Sequence, residues 1–289
     1  MLMNKKIYSD ATGNELRLSS VLQTEQQVYF TTFSAKYVVS GDENYTINNR
    51  KVKVKQGEYV IGNKNTASSV LIDNSKPVMG ICVDVAKDLI NEVVNYQFEN
   101  PISFSDFLFE HEWMAQKYEV QHTHLGYALQ QLSKEFDNLK TEGTKVNNEL
   151  FYAIAECIVK DQSIAFESFS KLNSVKQETN SRLFNFICDA KNYIDDFYLD
   201  KITIENIASA SKLSEYHFIR LFKTIYNITP YQYILQKRLA YSKELLAQNL
   251  AIQDIAFLTS FADSAAYCKS FKATYGFTPK QFIKQISNF

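Results

Sequence analysis

The chain has 289 residues, of which 45% are hydrophobic and 22% charged, with only 8 Gly and 4 Pro; this is a globular composition that excludes extended disorder and, at about 100 to 200 residues per domain, suggests two domains. The formal net charge of -1 conceals an asymmetry, because from Thr203 onward ten Lys and Arg face five Asp and Glu, a balance of +5, leaving 21 against 27, or -6, for the residues before it. A polar Met1 to Asp10 does not read as a signal peptide, no run approaches the roughly 18 apolar residues of a membrane span, and Cys82, Cys157, Cys188 and Cys268 are too scattered for a zinc site or a disulfide framework, so a reducing, cytoplasmic setting is expected.

The first third has strand character. Val28 to Phe33 and Lys36 to Val39 are β-rich, and Tyr45-Thr46-Ile47 runs into an Asn48-Asn49 pair that suits a two-residue hairpin turn. Val52 and Val54 alternate with lysines, Gln56-Gly57-Glu58 turns the chain, and Tyr59 to Ile61, Val70 to Ile72 and Val78 to Val83 complete the series. Short strands at this spacing predict a small barrel or sandwich. From Asp84 the period becomes helical, with Val85, Leu89, Ile90, Val93 and Val94 on one face. After Asn100-Pro101, a second stripe, Leu125, Leu129, Leu132 and Phe136, serves equally to pair two subunits or to pack on its own barrel. A third helix spans about Asn148 to Phe169, and the polar stretch Lys171 to Thr179 marks the domain boundary.

The C-terminal part repeats itself. Thr203 to Ala208 matches Ala251 to Ala256 at an offset of 48, whereas Phe222-Lys223, Tyr226 and Ile228-Thr229-Pro230 match Phe271-Lys272, Tyr275 and Phe277-Thr278-Pro279 at an offset of 49. Each copy reads as short helix, turn, longer helix and a Thr-Pro stop. In the first, Ile204, Ile207 and Ala208 face inward, Lys212-Leu213 is the turn, Ser214 caps the longer helix, and Phe218, Leu221 and Phe222 are buried, leaving Glu215, Tyr216, Ile219, Arg220 and Lys223 outside. The second has Ala256, a turn at Phe261, Asp263 or Ser264 as cap, and buried Tyr267, Phe271 and Tyr275. Between them Pro230 starts a helix that continues through Leu246.

Two helix-turn-helix units on a rod, with Ala190 to Asp195, Leu213 to Lys223, Thr229 to Tyr233 and Phe271 to Pro279 in this order, resemble the AraC/XylS family of bacterial transcription regulators over about Leu183 to Ile286. The resemblance implies that the longer helix of each unit enters a major groove of double-stranded DNA. Base-facing positions are then Tyr216, Ile219 and Arg220 in the first, and Ala265, Ala266 and Lys269 in the second, with Ser214, Glu215 and Ser264 beside them and Lys223 and Lys272 on phosphates. Two departures stand out: Ser260 replaces the usual turn glycine, and Ala265 and Ala266 replace longer polar side chains. The front, roughly residues 25 to 95, is similar to the family's cupin-like sensory domain at Tyr37 to Gly41, Asn48-Asn49, Gln56 to Glu58 and Gly80 to Cys82.

The expected fold is therefore α+β: a cupin-like β-barrel over residues 1–105, a helical dimerisation or linker segment over 106–180, and an all-α domain over 181–289, with helix-turn-helix units at about 203–226 and 251–275 joined by a long helix. The resemblance implies as partners DNA, a small effector or a regulatory protein at the barrel, RNA polymerase for an activator, and a second copy in a homodimer. No cofactor or metal is expected. His111, His122, His124 and His217 lie outside the predicted strands, and no nucleophile, phosphate-loop or dinucleotide motif occurs, so the chain does not read as an enzyme.

Overall fold

The computed structural model describes residues 3–47, 50–99, 101–110, 117–140, 146–172, 177–209 and 213–286; the expected Asn48-Asn49 turn, Lys212 and His111 lie outside them. Two compact units divide the chain, Met1–Ser170 and Lys171–Phe289.

The first unit is built on one antiparallel sheet: β1 (Met3–Ser9), β2 (Glu15–Val28), β3 (Phe33–Ser40), β4 (Asp42–Ile47), β5 (Arg50–Lys55), β6 (Glu58–Gly62), β7 (Ser68–Val85) and β8 (Lys117–Glu119). Its spine is the 18-residue β7. β2 runs antiparallel to it from Glu15 opposite Asp84 to Val28 opposite Ser68, while β3 and β4 share its other edge, one along each half. The strand order is β1-β2-β7-β3-β6-β8, with β5 attached through β4; among the described residues this path does not return on itself, so the sheet is not closed.

The α+β class agrees with the sequence, while two local expectations need correction and one strand was not foreseen. Tyr29 to Thr32 are not a strand; they connect β2 to β3, with Phe30 buried. The runs at Val70 and Val78 are one strand, and Asp84 and Val85 end it, so the following helix starts only at Lys87. The polar Gln23 to Gln27 is a strand because β7 supplies its hydrogen bonds, whatever its own weak propensity.

Among the described residues, five α-helices complete this unit: α1 (Lys87–Gln97), α2 (Pro101–Phe109), α3 (His124–Lys134), α4 (Phe136–Lys140) and α5 (Asn148–Ser170). Phe104 stacks on Phe98 at 4.5 Å and meets Phe166 edge-on at 5.2 Å, and Phe107 contacts Phe166 and Phe169 at 5.2 and 5.4 Å. Leu125, Leu129 and Phe136 are buried within the unit, so the stripe that the sequence left between two uses is spent on its own core.

The second unit consists of α6 (Gln177–Phe197), α7 (Ile204–Ser209), α8 (Glu215–Tyr226), α9 (Pro230–Ala247), α10 (Ile252–Leu258), α11 (Ser264–Tyr275) and α12 (Pro279–Ile286). Gln177 to Thr179, read as linker, already belong to α6. Phe218 of α8 lies 5.8 Å from Phe186 of α6 and 5.8 Å from Phe222. At the other end of α9, Leu239, Leu245 and Leu246 cluster with Ile255, Ala256, Tyr267 and Phe271.

Replacing Phe107, which is 1% exposed, with Ala removes the ring at the centre of the aromatic cluster and is expected to cost about 3 to 5 kcal/mol. Urea unfolding of the F107A variant, followed by far-UV dichroism, checks this; a midpoint equal to wild type contradicts it.

Candidate nucleic-acid interface

Each longer helix of the repeat is bounded by side-chain chemistry at both ends. The Ser214 hydroxyl accepts from the His217 amide at 3.3 Å, and the Asp263 carboxylate accepts from the Ala266 amide at 2.7 Å; of the two caps that the sequence allowed for α11, Asp263 is the one used, and Ser264 is the first helical residue. Both helices stop at a left-handed residue, Asn227 at φ 60° and Gly276 at φ 82°. The Thr-Pro stops are starts as well. Gln232 and Thr229 exchange side-chain and backbone hydrogen bonds at 2.9 and 3.2 Å around Pro230, and Gln281 and Thr278 do the same at 2.8 and 3.3 Å around Pro279.

Phe218, Leu221 and Phe222 are buried as read, joined by Ile225. Tyr267 and Phe271 are buried too, but Tyr275 is only half-buried. On the outer faces, Ser214, Glu215, Arg220 and Lys223 are exposed, Tyr216 is 75% exposed and Ile219 half-buried. On α11, Ala265, Lys269 and Lys272 are exposed, with Ser264 and Ala266 half-buried. The two sets thus occupy the outer surfaces of two separate helices. Among the described residues, none of Arg220, Lys223, Lys269 and Lys272 makes an ion pair, so four cations stand unneutralised on these faces.

One residue of this surface escaped the sequence reading. Tyr231, in the first turn of α9, is 57% exposed and donates to the Glu215 carboxylate at 3.1 Å. The available signal was its place after Thr229-Pro230, which puts a side chain at the start of α9 beside the start of α8.

A half-buried acid sets the frame behind these helices. Asp195, near the end of α6, accepts from the Tyr233 hydroxyl at 2.6 Å and pairs with Lys191 at 2.7 Å and Lys237 at 3.2 Å. Burial opposes its ionisation, but the two ammonium groups, with the hydrogen bonds from Lys191 and Tyr233, hold the carboxyl below its ordinary range.

A helix-turn-helix domain family matches residues 207–285, the part that holds α8, α9 and α11. The probable transcriptional regulator LumQ of Photobacterium leiognathi is 28% identical over 44% of this chain and 47% of its own length. The HTH-type transcriptional regulator YbfI of Bacillus subtilis is 25% identical over 80% of this chain and 74% of its own. The helix-turn-helix part of the chain is thus similar to that of known transcriptional regulators. The chain spans less than half the length of the first curated relatives that it matches. Among solved structures, ToxT from Vibrio cholerae aligns over 93% of this chain and 97% of its own at 11% identity, with a TM-score of 0.40.

Within this helix-turn-helix part the departure at Ser260 has a local explanation. Its φ of 56° is a left-handed conformation that glycine adopts without strain, and the serine hydroxyl gains a hydrogen bond to the Leu199 carbonyl that glycine could not make.

Because Asp195 is held below its unfolded value, its contribution is complete above about pH 4, the ordinary carboxyl range, and is lost as pH falls through the folded value. Asp195→Asn is therefore expected to destabilise the C-terminal unit by about 1 to 3 kcal/mol at pH 7, and the gap to wild type should shrink steadily below about pH 4. Thermal unfolding of both proteins from pH 7 to pH 3 measures this; a pH-independent gap contradicts it.

Proposed function

We propose that this protein is a sequence-specific DNA-binding regulator of transcription, working in the cytoplasm and not as an enzyme, whose helices α8 and α11 enter successive major grooves on one side of a duplex. The observation that carries this reading is the pair of capped helices presenting Arg220, Lys223, Lys269 and Lys272 without ion-pair partners. The 18 residues of α9, at about 1.5 Å each, make a rod of about 27 Å, comparable with the roughly 34 Å between successive grooves. Arg220 is the principal base reader, because a guanidinium holds O6 and N7 of guanine together. Tyr216 and Ile219 flank it, and Ala265, Ala266 and Lys269 read through methyl contact and a single ammonium. Lys223 and Lys272 hold phosphates and set register.

The N-terminal unit is, on this reading, the sensory part, with the helices after the sheet as linker. It bears an open cavity of about 330 Å³ whose lining includes Arg17, Lys36, Tyr37, Glu43, Tyr45 and Asp84. That volume lies at the small end of the roughly 300 to 1,000 Å³ of ligand sites, and it favours a small polar effector over a sheet that only docks a protein. The effector would act by binding one of two arrangements of the chain more tightly. RNA polymerase is a further partner if the protein activates, and a homodimer would let two chains share an operator.

Arg220→Ala is expected to weaken specific binding by about 1 to 3 kcal/mol while leaving binding to random duplex largely intact. Lys272→Ala should weaken both alike and lower the salt slope by about one. Fluorescence anisotropy on selected and random duplexes across a salt series separates the two, and equal losses on both DNAs for Arg220→Ala would refute its role.

A thermal-shift screen of small polar metabolites tests the cavity. A compound at 100 times its Kd should add about 2.7 kcal/mol, and the gain should vanish in the variant Gly80→Leu, whose Cβ would meet Ser19 Oγ at 2.8 Å at the cavity wall.

A further inference from the structure

The C-terminal end of α6 is held by an unusual set of donors. Arg238, on α9, donates through Nε to the Tyr198 carbonyl at 2.7 Å, through Nη2 to the Asp200 carbonyl at 2.9 Å and through Nη1 to the Ser260 carbonyl at 3.2 Å. Ser260, in the turn between α10 and α11, donates from its hydroxyl to the carbonyl between those two, Leu199. Three consecutive carbonyls just past the last residue of α6 are therefore satisfied by α9 and by the turn of the second helix-turn-helix unit. A helix leaves its final carbonyls without internal partners, and a cation there also meets the negative end of the helix dipole. The planar fork of arginine can serve acceptors on both segments at once, whereas a lysine ammonium is a single point.

The position of this clamp is what gives it meaning. α8 packs on α6 through Phe218 and Phe186, so residues 198–200 are fixed to the first reading helix. Ser260 immediately precedes the Phe261 to Asp263 turn that launches α11, the second one. The two reading helices are thus joined twice, once along the covalent path of α9 and once across the clamp. Without the clamp, the second helix-turn-helix unit would be held only by the core that Ile255, Ala256, Tyr267 and Phe271 share with Leu239, Leu245 and Leu246 of α9, with no tie to residues 198–200. A tilt of about 10° acting over about 20 Å would move α11 by about 3.5 Å, close to the 3.4 Å step of one base pair.

We infer that Arg238 and Ser260 are positioning residues that lock α11 at a fixed distance from α8, and so set the spacing of the two DNA segments that the protein accepts. This rests on the DNA-reading proposal above for its consequence, but not for the lock itself. The test therefore has an arm without DNA. Nitroxides introduced through unnatural ketone-bearing residues at the exposed Glu205 and Gln253, the first helices of the two units, report their separation by pulsed electron resonance in the full chain.

Wild type should give one narrow distance distribution, and Arg238→Lys, which keeps the charge but not the fork, a distribution at least twice as wide. Ser260→Gly, which suits the left-handed turn and so retains the fold, should give an intermediate width. In the second arm, duplexes selected from a random pool by wild-type protein are rebuilt with one base pair added or removed between the two protected segments. Wild type should lose at least tenfold in affinity on these, and Arg238→Lys at most threefold, with unchanged affinity for a duplex that carries one segment alone. Unchanged widths in a folded Arg238→Lys overturn the inference, as do unchanged widths in Ser260→Gly if Arg238→Lys does not fold. Widened distributions with a wild type that selects no duplex leave the lock standing and overturn the DNA-reading proposal instead.

Discussion

The three carbonyls of the turn that follows α6 find their donors elsewhere in the fold. Arg238 and Ser260 take the three carbonyls after Phe197, and one turn earlier Lys237 and Tyr233 of α9 take the carboxylate of Asp195. Both interactions draw on the same helix, α9. A carboxylate largely withdrawn from water is stabilised by pairing and hydrogen bonding, and carbonyls turned toward a neighbouring helix need donors there in place of water. Together these requirements determine how α9 lies against α6, and α9 in turn carries a packed core at each end.

Given that frame, the remaining helices of the second unit can be short. α7 and α10 have 6 and 7 residues, far below the roughly 12 to 15 at which a helix is marginal in water, so packing and capping must hold them. Ile204, Ile207 and Ala208 in one and Ile255 and Ala256 in the other supply the packing. The small Ala208 and Ala256 let the following helix cross closely. With one face of α8 and α11 committed to Phe218, Phe222, Tyr267 and Phe271, the polar side chains at intervening positions have no inward option. The cationic outer faces follow from the apolar inner ones.

Much of this was legible in the sequence, for an identifiable reason. The repeat places helix starts, stops and buried aromatics at matching offsets, and each of those signals is local: Ser214, Asp263, Pro230 and Gly276 act through their own backbone neighbours. The signals that failed are long-range. Nothing near Gln23 to Gln27 marks a strand, because its partners Ser69 to Asp73 lie more than forty positions away in β7. The run from Tyr29 to Thr32 has the residue types of a strand and none of its pairing. No local signal in the sequence singles out Arg238, since its three acceptors belong to segments 22 to 40 positions away. For the recognition surface, spacing identified which side chains face outward, while the tie between Tyr231 and Glu215 depended on how α8 and α9 meet.

The cavity of the first unit is subject to a different constraint, because its polar groups are already engaged in hydrogen bonds. Arg17 pairs with Glu15 at 2.9 Å and Asp84 at 2.5 Å, Lys36 reaches the Cys82 sulfur at 2.8 Å, and Tyr45 donates to Glu43 at 2.6 Å. Burial pushes the Glu43 carboxyl up, against the opposing pull of the Tyr45 hydrogen bond and Lys36. On the proposed reading, an incoming effector must exchange hydrogen bonds with these groups. Each exchange is worth only about 0.5 to 1.5 kcal/mol net, whereas a ligand that breaks a pair without replacing it pays about 1 to 3 kcal/mol or more. A site of this kind selects less by attraction than by rejection, because compounds of similar size but the wrong polar pattern leave buried groups unpartnered. Discrimination among small polar molecules would then arise from the sheet's own side chains, Arg17 on β2, Lys36 on β3, Glu43 on β4 and Asp84 on β7, converging from four strands on one cavity.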